Sequence, residues 1–591
     1  MAPSGARAAL PAFERRVYPF PVHDEQGIAY AHPFLGGYNI PRPQWIDVDG
    51  DGDLDLFVQE SSGEVAFFEA LSDTSPAARL PLYRWRTDRF RGLRVGEWYR
   101  FADMDHDGDW DLLAETPFSY LRLYRNDGPP ESPAFTLAAD TLRDTAGRAL
   151  FSDRQNIPNV ADIDCDGLLD LLIGRLTGTI SRYEEAGKDA TGAARFRFLT
   201  DHFENIEIIG QMRSRHGANT LALADVDEDG DPDLLWGDFF EPGLLLIENT
   251  GSCERPSLSG EPLPFPPENP LATSGYNAPT FGDVDRDGDL DLLVGVIGGA
   301  FDPNRTTVEN LYFLEQGAGG RFEERTRRFL TQVDVGSESL PALADLDADG
   351  DLDLLLSNKI EPGDRQTSRI YKFANEGTAR EPVFRLVGPL PMEGSYHYAP
   401  ALGDLDADGD LDMLLGSWRA KIAYWRNDGA RTRPRFVLAD SALVRITRGS
   451  NTTPALVDID ADGDLDLFVG ESSGALNFYR NEGTPRAPRF VLVSDEYGEI
   501  DPGRRTVPSF VDLDGDGDAD LLLGTESSGV LLYRNEGGPA EPSFALQGPL
   551  AVRAPGLAAP AFGDVDGDGD PDLFLGGVGG GLLFYEANPG R

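Results

Sequence analysis

Short apolar runs bracket a polar stretch of fixed form along the whole chain: APTFGDVD and TPALVDID lead into it, and DLLVG and DLFVG lead out. Runs of this length, with no helical periodicity of note, predict buried β-strands. The polar stretch reads D-x-D-x-D-G-D-x-D and begins at Asp47, Asp103, Asp162, Asp225, Asp283, Asp345, Asp404, Asp458, Asp512 and Asp564, at spacings of 52 to 63 residues. Self-similarity of this kind marks a repeat architecture whose length is set by copy number. After a glycine turn each unit carries a third apolar run, as in GVLLYRNEG and ALNFYRNEG, and then a fourth introduced by Pro and Phe, as in EPVFRLVG and PSFALQG. Four antiparallel strands per repeat predict an all-β chain: a β-propeller of ten blades over residues 11–591, preceded by a tail at 1–10.

The tenth unit stops after its third strand at LLFYEANPGR, and PAFERRVYPF near the start has the form of the missing fourth strand. Its pairing there would remove exposed sheet edges. The expectation is one closed ring in which the N-terminal strand completes the last blade. Propellers usually have about four to eight blades, so two smaller rings or an open array are the alternatives.

The polar stretch has the chemistry of a calcium cage. Alternate residues of a tight loop point carboxylates at one centre, and Ca²⁺ takes about six to eight oxygens. Positions 1, 3, 5, 7 and 9 are Asp47, Asp49, Asp51, Asp53 and Asp55 in the first copy and Asp103, Asp105, Asp107, Asp109 and Asp111 in the second. The third has Asp162, Asp164, Asp166, Leu168 and Asp170, and the fourth Asp225, Asp227, Asp229, Asp231 and Asp233. The fifth has Asp283, Asp285, Asp287, Asp289 and Asp291, and the sixth Asp345, Asp347, Asp349, Asp351 and Asp353. Asp404, Asp406, Asp408, Asp410 and Asp412 form the seventh, and Asp458, Asp460, Asp462, Asp464 and Asp466 the eighth. Asp512, Asp514, Asp516, Asp518 and Asp520 form the ninth, and Asp564, Asp566, Asp568, Asp570 and Asp572 the tenth. Position 6 is always Gly, where the chain turns sharply, and position 7 is read as a backbone carbonyl donor, so Leu168 is tolerated there. Position 12, a bidentate Glu in an EF-hand, is Val58 in the first copy, so the loop joins strands and not helices.

Charge supports the same reading. The net charge is −49, and positions 1, 3, 5, 7 and 9 of the ten loops hold 49 of the 101 acidic residues, leaving 52 against 52 Lys and Arg. A halophile's general acidic coat would not concentrate its excess in this way. The acidity also excludes a nucleic-acid partner, whose phosphates need Lys and Arg. Up to ten Ca²⁺ ions would quiet the repulsion among clustered carboxylates, coupling metal binding to folding. Two cysteines predict no disulfide framework and no thiolate zinc site. No run of eighteen apolar residues predicts a membrane-spanning helix. The start, MAPSGARAALPAF, lacks an apolar signal segment. Either a signal was removed, the true start lies upstream, or the protein stays inside.

These residues resemble the FG-GAP and VCBS-type repeats of integrin α-subunit propellers and bacterial surface proteins, most closely in AFGDVDGDGDPDLFLGG at 561–577. The resemblance implies Ca²⁺ at one face through positions 1, 3, 5, 7 and 9, and residence outside the cell or at its surface. Seven-bladed integrin propellers differ from ten copies. The resemblance also implies a monomeric scaffold for a protein or glycan ligand, with a calcium-dependent polysaccharide lyase or glycoside-acting enzyme as the alternative. Family geometry places the second-to-third-strand turns on the opposite face, where three successive copies are enlarged. Phe239, Phe240, Phe301, Asn304, Arg305, Lys359 and Arg365 in those turns are the candidate ligand surface. Tyr and Asn before several first strands, as in GYN and SYHY, could contact a sugar or be ordinary rim residues. The G-x-S-x-G match at 470–474 lies in a strand–strand turn and predicts no nucleophile.

Overall fold

The computed structural model describes the chain except residues 1–9, 61–62, 72–81, 154–155, 190–191, 193, 209–216, 218, 300–307, 318, 364–366, 393 and 589–591. The expected tail at 1–10 therefore lies almost wholly outside the described residues. The strands form ten antiparallel four-stranded sheets, one of them with a short fifth strand, Val22–His23, added in parallel. The sheets are numbered here by the aspartate loop each contains. In every sheet the loop joins the first strand to the second, as between Val507–Val511 and Asp520–Gly524 of sheet 9.

Why these segments are strands is visible in their burial. Second strands such as Asp55–Gln59, Asp353–Ser357 and Asp520–Gly524 are buried at every position, which requires the unbroken apolar run that follows each loop. Fourth strands alternate, as in Arg321–Thr326 and Phe384–Pro389, because one face packs and the other meets water. Apolar clusters lie between neighbouring sheets: Phe468, Phe478, Leu521 and Leu523 join sheets 8 and 9, and Phe57, Phe90, Phe101 and Leu112 join sheets 1 and 2. Among the described residues no helix is long and apolar enough to cross a membrane.

The N-terminal strand Ala12–Arg16 pairs antiparallel with Leu582–Asn588 and supplies the fourth strand of sheet 10. One ring of ten is not what forms. The chain divides into two compact units: Asn39–Arg305 with Glu309–Phe329, holding sheets 1–5, and Met1–Tyr38, Thr306–Val308 and Leu330–Arg591, holding sheets 6–10. The reason lies in which first strands meet. Asn277–Gly282 of sheet 5 packs on Arg42–Ile46 of sheet 1, and Ala559–Gly563 of sheet 10 packs on Leu340–Ala344 of sheet 6. Each set of five is thus linked from its last sheet to its first.

Hydrogen bonds follow the same circuits. In sheets 1–5, Tyr99 Oη donates to Arg42 O at 3.0 Å, Arg100 Nε to Pro158 O at 3.0 Å, Asn159 Nδ2 to Leu221 O at 3.2 Å, Thr220 Oγ1 to Asn277 O, and Trp45 N to Thr280 Oγ1 at 3.4 Å. In sheets 6–10, Ser357 Oγ donates to Tyr398 O, Ser417 N to Thr452 Oγ1 at 3.0 Å, Thr453 Oγ1 to Thr506 O at 2.7 Å, Ala558 N to Thr525 O at 2.9 Å, and Ser339 Oγ to Gly581 O at 2.7 Å.

The cysteines correct a second expectation. Cys165, at position 4 of the third loop, is disulfide-bonded to Cys253 after the third strand of sheet 4, closing a separation of 88 residues. Counting alone could not pair them, because only the fold brings the two turns together. Closing such a loop contributes about 4.6 kcal/mol in the chain-entropy model. Reduction is expected to lower hydrogen-exchange protection in sheets 3 and 4 and leave sheets 6–10 unchanged. Equal loss in both units would show that the bond has no local effect.

Candidate metal centres in the aspartate loops

Each loop is wound by its own aspartates. The Gly at position 6 has φ between +85° and +101°, and its N–H donates to Oδ2 of the position-1 Asp at 2.9 to 3.2 Å in all ten copies. A side chain at that φ would be strained, which is why position 6 is Gly. The position-7 N–H donates to Oδ1 of position 5, as from Asp53 to Asp51 at 2.8 Å and from Leu168 to Asp166 at 2.9 Å. Position 7 thus acts through its backbone in the third copy, where the side chain is Leu.

The result is convergence. Carboxylate oxygens of Asp47, Asp49 and Asp51 lie within 4.8 Å of one another, as do those of Asp103, Asp105 and Asp107, of Asp225, Asp227 and Asp229, and of Asp283, Asp285 and Asp287. In the third copy the group is Asp162, Asp164 and Asp170, and five further groups occur among the described residues.

Position 9 has a role that the sequence did not reveal. It opens the second strand, fully buried, and in nine copies its Oδ1 accepts a backbone N–H from the third strand, as from Asn126 to Asp111 at 2.7 Å and Asn535 to Asp520 at 2.8 Å. In several copies Oδ2 also accepts the position-2 N–H, as from Met104 to Asp111 at 3.0 Å. The position-9 carboxylate therefore staples loop to sheet. The signal for it was the Asn of the YRN turns, whose own Oδ1 holds the next turn, as in Gly128 N and Ala134 N to Asn126.

The residues present fit a hard divalent cation. Asp55 Oδ2, Asp231 Oδ1, Asp466 Oδ2 and Asp518 Oδ1 are buried without a hydrogen-bond partner, although the four residues are at most 9% exposed. Leaving a buried carboxylate oxygen unpaired is costly unless an ion or a proton takes the place. Burial, reinforced by neighbouring aspartates, pushes Asp55, Asp111, Asp291 and Asp572 up to about 7 and Asp233, Asp466 and Asp520 up to about 6.

The loops are not equivalent. Arg182 donates to Asp164 at 2.6 Å and to Asp170 at 2.7 Å; Lys372 pairs with Asp353 at 2.8 Å, Arg480 with Asp460 at 3.2 Å and Arg534 with Asp514 at 2.5 Å. A cation from the third strand thus enters loops 3, 6, 8 and 9. In loops 1, 5 and 10 the third strand instead brings Glu69, Glu315 and Glu586, whose charges further raise Asp49, Asp285 and Asp566.

The candidate ligand surface is only partly described. Phe239 and Phe240 stand edge-on at 5.1 Å in sheet 4, and Phe239 packs on Tyr276. Lys359 belongs to sheet 6 in the other unit and pairs with Glu338 at 2.7 Å. Phe301, Asn304, Arg305 and Arg365 lie outside the described residues. The ESSG turn binds itself: Glu471 accepts the N–H groups of Ser473 and Ala475 at 2.7 and 3.1 Å, as a turn and not a nucleophile elbow.

Ten four-stranded antiparallel sheets, each with an acidic loop between its first two strands, define a β-propeller-type repeat protein. The FG-GAP-like repeat family model matches residues 345–415, 404–469, 458–523 and 512–575. The chain is 27% identical over 280 residues to integrin alpha-7 of Mus musculus, covering 43% of this chain and 22% of that protein. It is 26% identical to integrin alpha-7 of Homo sapiens with the same coverage, and 27% identical to integrin alpha-4 of Xenopus laevis over 190 residues, 29% of this chain and 18% of that one. The chain therefore spans about a fifth of these curated relatives. Residues 345–575, within sheets 6–10, thus carry FG-GAP-like repeats, and the chain is similar to integrin α chains at modest identity.

Proposed function

We propose that each aspartate loop holds one Ca²⁺ through the position 1, 3, 5 and 9 carboxylates and the position-7 carbonyl. The protein is then a non-enzymatic, cation-stabilised scaffold for adhesion-type binding of a protein or glycan, outside the cell or at its surface. The observation that carries this reading is the recurrence, in one loop after another, of converging carboxylates with buried, unpartnered oxygens. Likeness to integrin α chains supports the adhesion role, and the disulfide is consistent with an oxidising compartment. The first-to-last contacts within each unit support two five-bladed rings. Equilibrium dialysis tests the metal: binding of several Ca²⁺ per chain is expected, and a chain that takes up none in millimolar calcium ends the proposal.

Third-strand charge should sort the sites. Loops 3, 6, 8 and 9, with their own cation inside, bind Ca²⁺ more weakly than loops 1, 5 and 10. Calorimetric titration is expected to resolve at least two classes, and Arg534→Gln to tighten one weak site by roughly tenfold, about 1.4 kcal/mol. A single class unchanged by Arg534→Gln would refute the sorting.

A further inference from the structure

Position 4 of every aspartate loop is left-handed, with φ between +52° and +74° in all ten copies. In sheets 6–10 it is Ala348, Ala407, Ala461, Gly515 or Gly567, whose side chains can form no hydrogen bond or ion pair. In sheets 2–5 it is His106, Cys165, Glu228 or Arg286, polar or reactive side chains held where glycine is the least costly residue. Three of these four are bonded to the neighbouring sheet: His106 to Glu185, Cys165 to Cys253 and Arg286 to Asp53.

A second position reaches back in the opposite direction. The third-strand residue beside position 9 is Asn in six of the ten sheets and Ala in two, but Glu185 in sheet 3 and Gln316 in sheet 5. These two longer side chains are 4% and 1% exposed, and each spans two loops. Glu185 Oε2 accepts the position-8 N–H of Leu169 in its own loop at 3.3 Å and meets His106 Nε2 of loop 2 at 2.7 Å. Gln316 Oε1 accepts the position-8 N–H of Leu290 in its own loop at 2.9 Å, and its Nε2 donates to Val226 O of loop 4 at 3.3 Å. The same arrangement therefore joins loop 2 to loop 3 and loop 4 to loop 5.

Two further links complete the series. The disulfide ties loop 3 to the turn of sheet 4 that Asn249 organises, and Asn249 N donates to Asp233 of loop 4 at 2.7 Å. Arg286 Nη2 of loop 5 donates to Gly52 O of loop 1 at 2.9 Å, and the guanidinium pairs with the Asp53 carboxylate. The links thus run through loops 2, 3, 4, 5 and 1, all within one unit. In sheets 6–10, among the described residues, no side-chain hydrogen bond or ion pair joins an aspartate loop to the neighbouring sheet. Each link needs both of its loops wound, since an unwound loop 5 carries Arg286 away from Gly52. An ion that winds one loop therefore lowers the ordering cost of the next.

We propose that the loops of sheets 1–5 form a relay through which their Ca²⁺ sites bind cooperatively, whereas the loops of sheets 6–10 bind independently. This deepens the calcium reading above and rests on it. The test is hydrogen exchange by mass spectrometry on the full chain titrated with Ca²⁺, which follows each loop separately. Asp287→Asn, which weakens loop 5, is expected to raise the calcium midpoint of loop 1 about fivefold. In an Arg286→Ala background the same substitution should leave loop 1 unmoved. The Arg286 side chain is 57% exposed, so its removal is compatible with folding. Asp229→Asn and Gln316→Ala repeat the cycle between loops 4 and 5, and Asp408→Asn in loop 7 should leave loop 8 unchanged. Indifference of loop 1 to Asp287→Asn, a shift that persists without Arg286, or equal coupling between loops 7 and 8 each overturn the relay and leave calcium binding intact. Calcium protection of no loop at all would overturn the relay together with the reading beneath it.

Discussion

Addition of EDTA at pH 8 is expected to lower the melting temperature by tens of degrees. At free Ca²⁺ about tenfold above Kd, each independent site contributes roughly 1.4 kcal/mol. Five loops per unit then contribute about 7 kcal/mol, comparable to the whole stability of a typical domain, about 5–15 kcal/mol. The effect is also expected to depend on pH. Without metal the buried loop carboxyls sit at about 6 to 7, above their ordinary value of 3.8. Between those values the folded state holds more protons than the unfolded one, so metal-free stability is greatest near pH 4 and falls as pH rises through 6 to 7. Calorimetry in EDTA should therefore give a higher melting temperature at pH 5 than at pH 8. Saturating Ca²⁺ should remove most of that difference, because the ion replaces the protons. Identical melting with and without chelator at pH 8 would contradict structural metal binding.

Asp111→Ala is expected to destabilise the metal-free protein by roughly 2–6 kcal/mol, whereas Asp107→Ala in the same loop should change it little. Asp111 is 1% exposed and accepts the N–H groups of Asn126 and Met104; its removal strands two buried donors, each at about 1–3 kcal/mol. Asp107 is exposed and its Oδ1 accepts only the loop's own Asp109 N–H, at 3.2 Å. Both substitutions should weaken cation binding. Denaturant unfolding in EDTA distinguishes staple from ligand, and equal losses for the two variants would show that position 9 has no structural role of its own.

The repeat, its four strands and its acidic loop were legible because each is local. An apolar run after Asp55 or Asp520 must be buried on both faces, and a Gly between carboxylates must turn. Even the N-terminal strand could be anticipated, since LLFYEANPGR lacked a partner that PAFERRVYPF could supply. Other features rest on contacts between distant residues. The Arg534 to Asp514 pair places opposite charges in one cage from separate strands. The strained Arg505 meets Glu338 across 167 positions of chain.

The sequence by itself determined how many sheets form and where each loop falls, because strand patterning and turn chemistry act over a few residues. Only the tertiary structure decided that the sheets gather in two units of five, that Cys165 finds Cys253, and that Arg505, Lys359 and His397 meet at Glu338. Those outcomes depend on which first strands meet, a matter of inter-sheet packing that repeats so alike in sequence cannot specify locally.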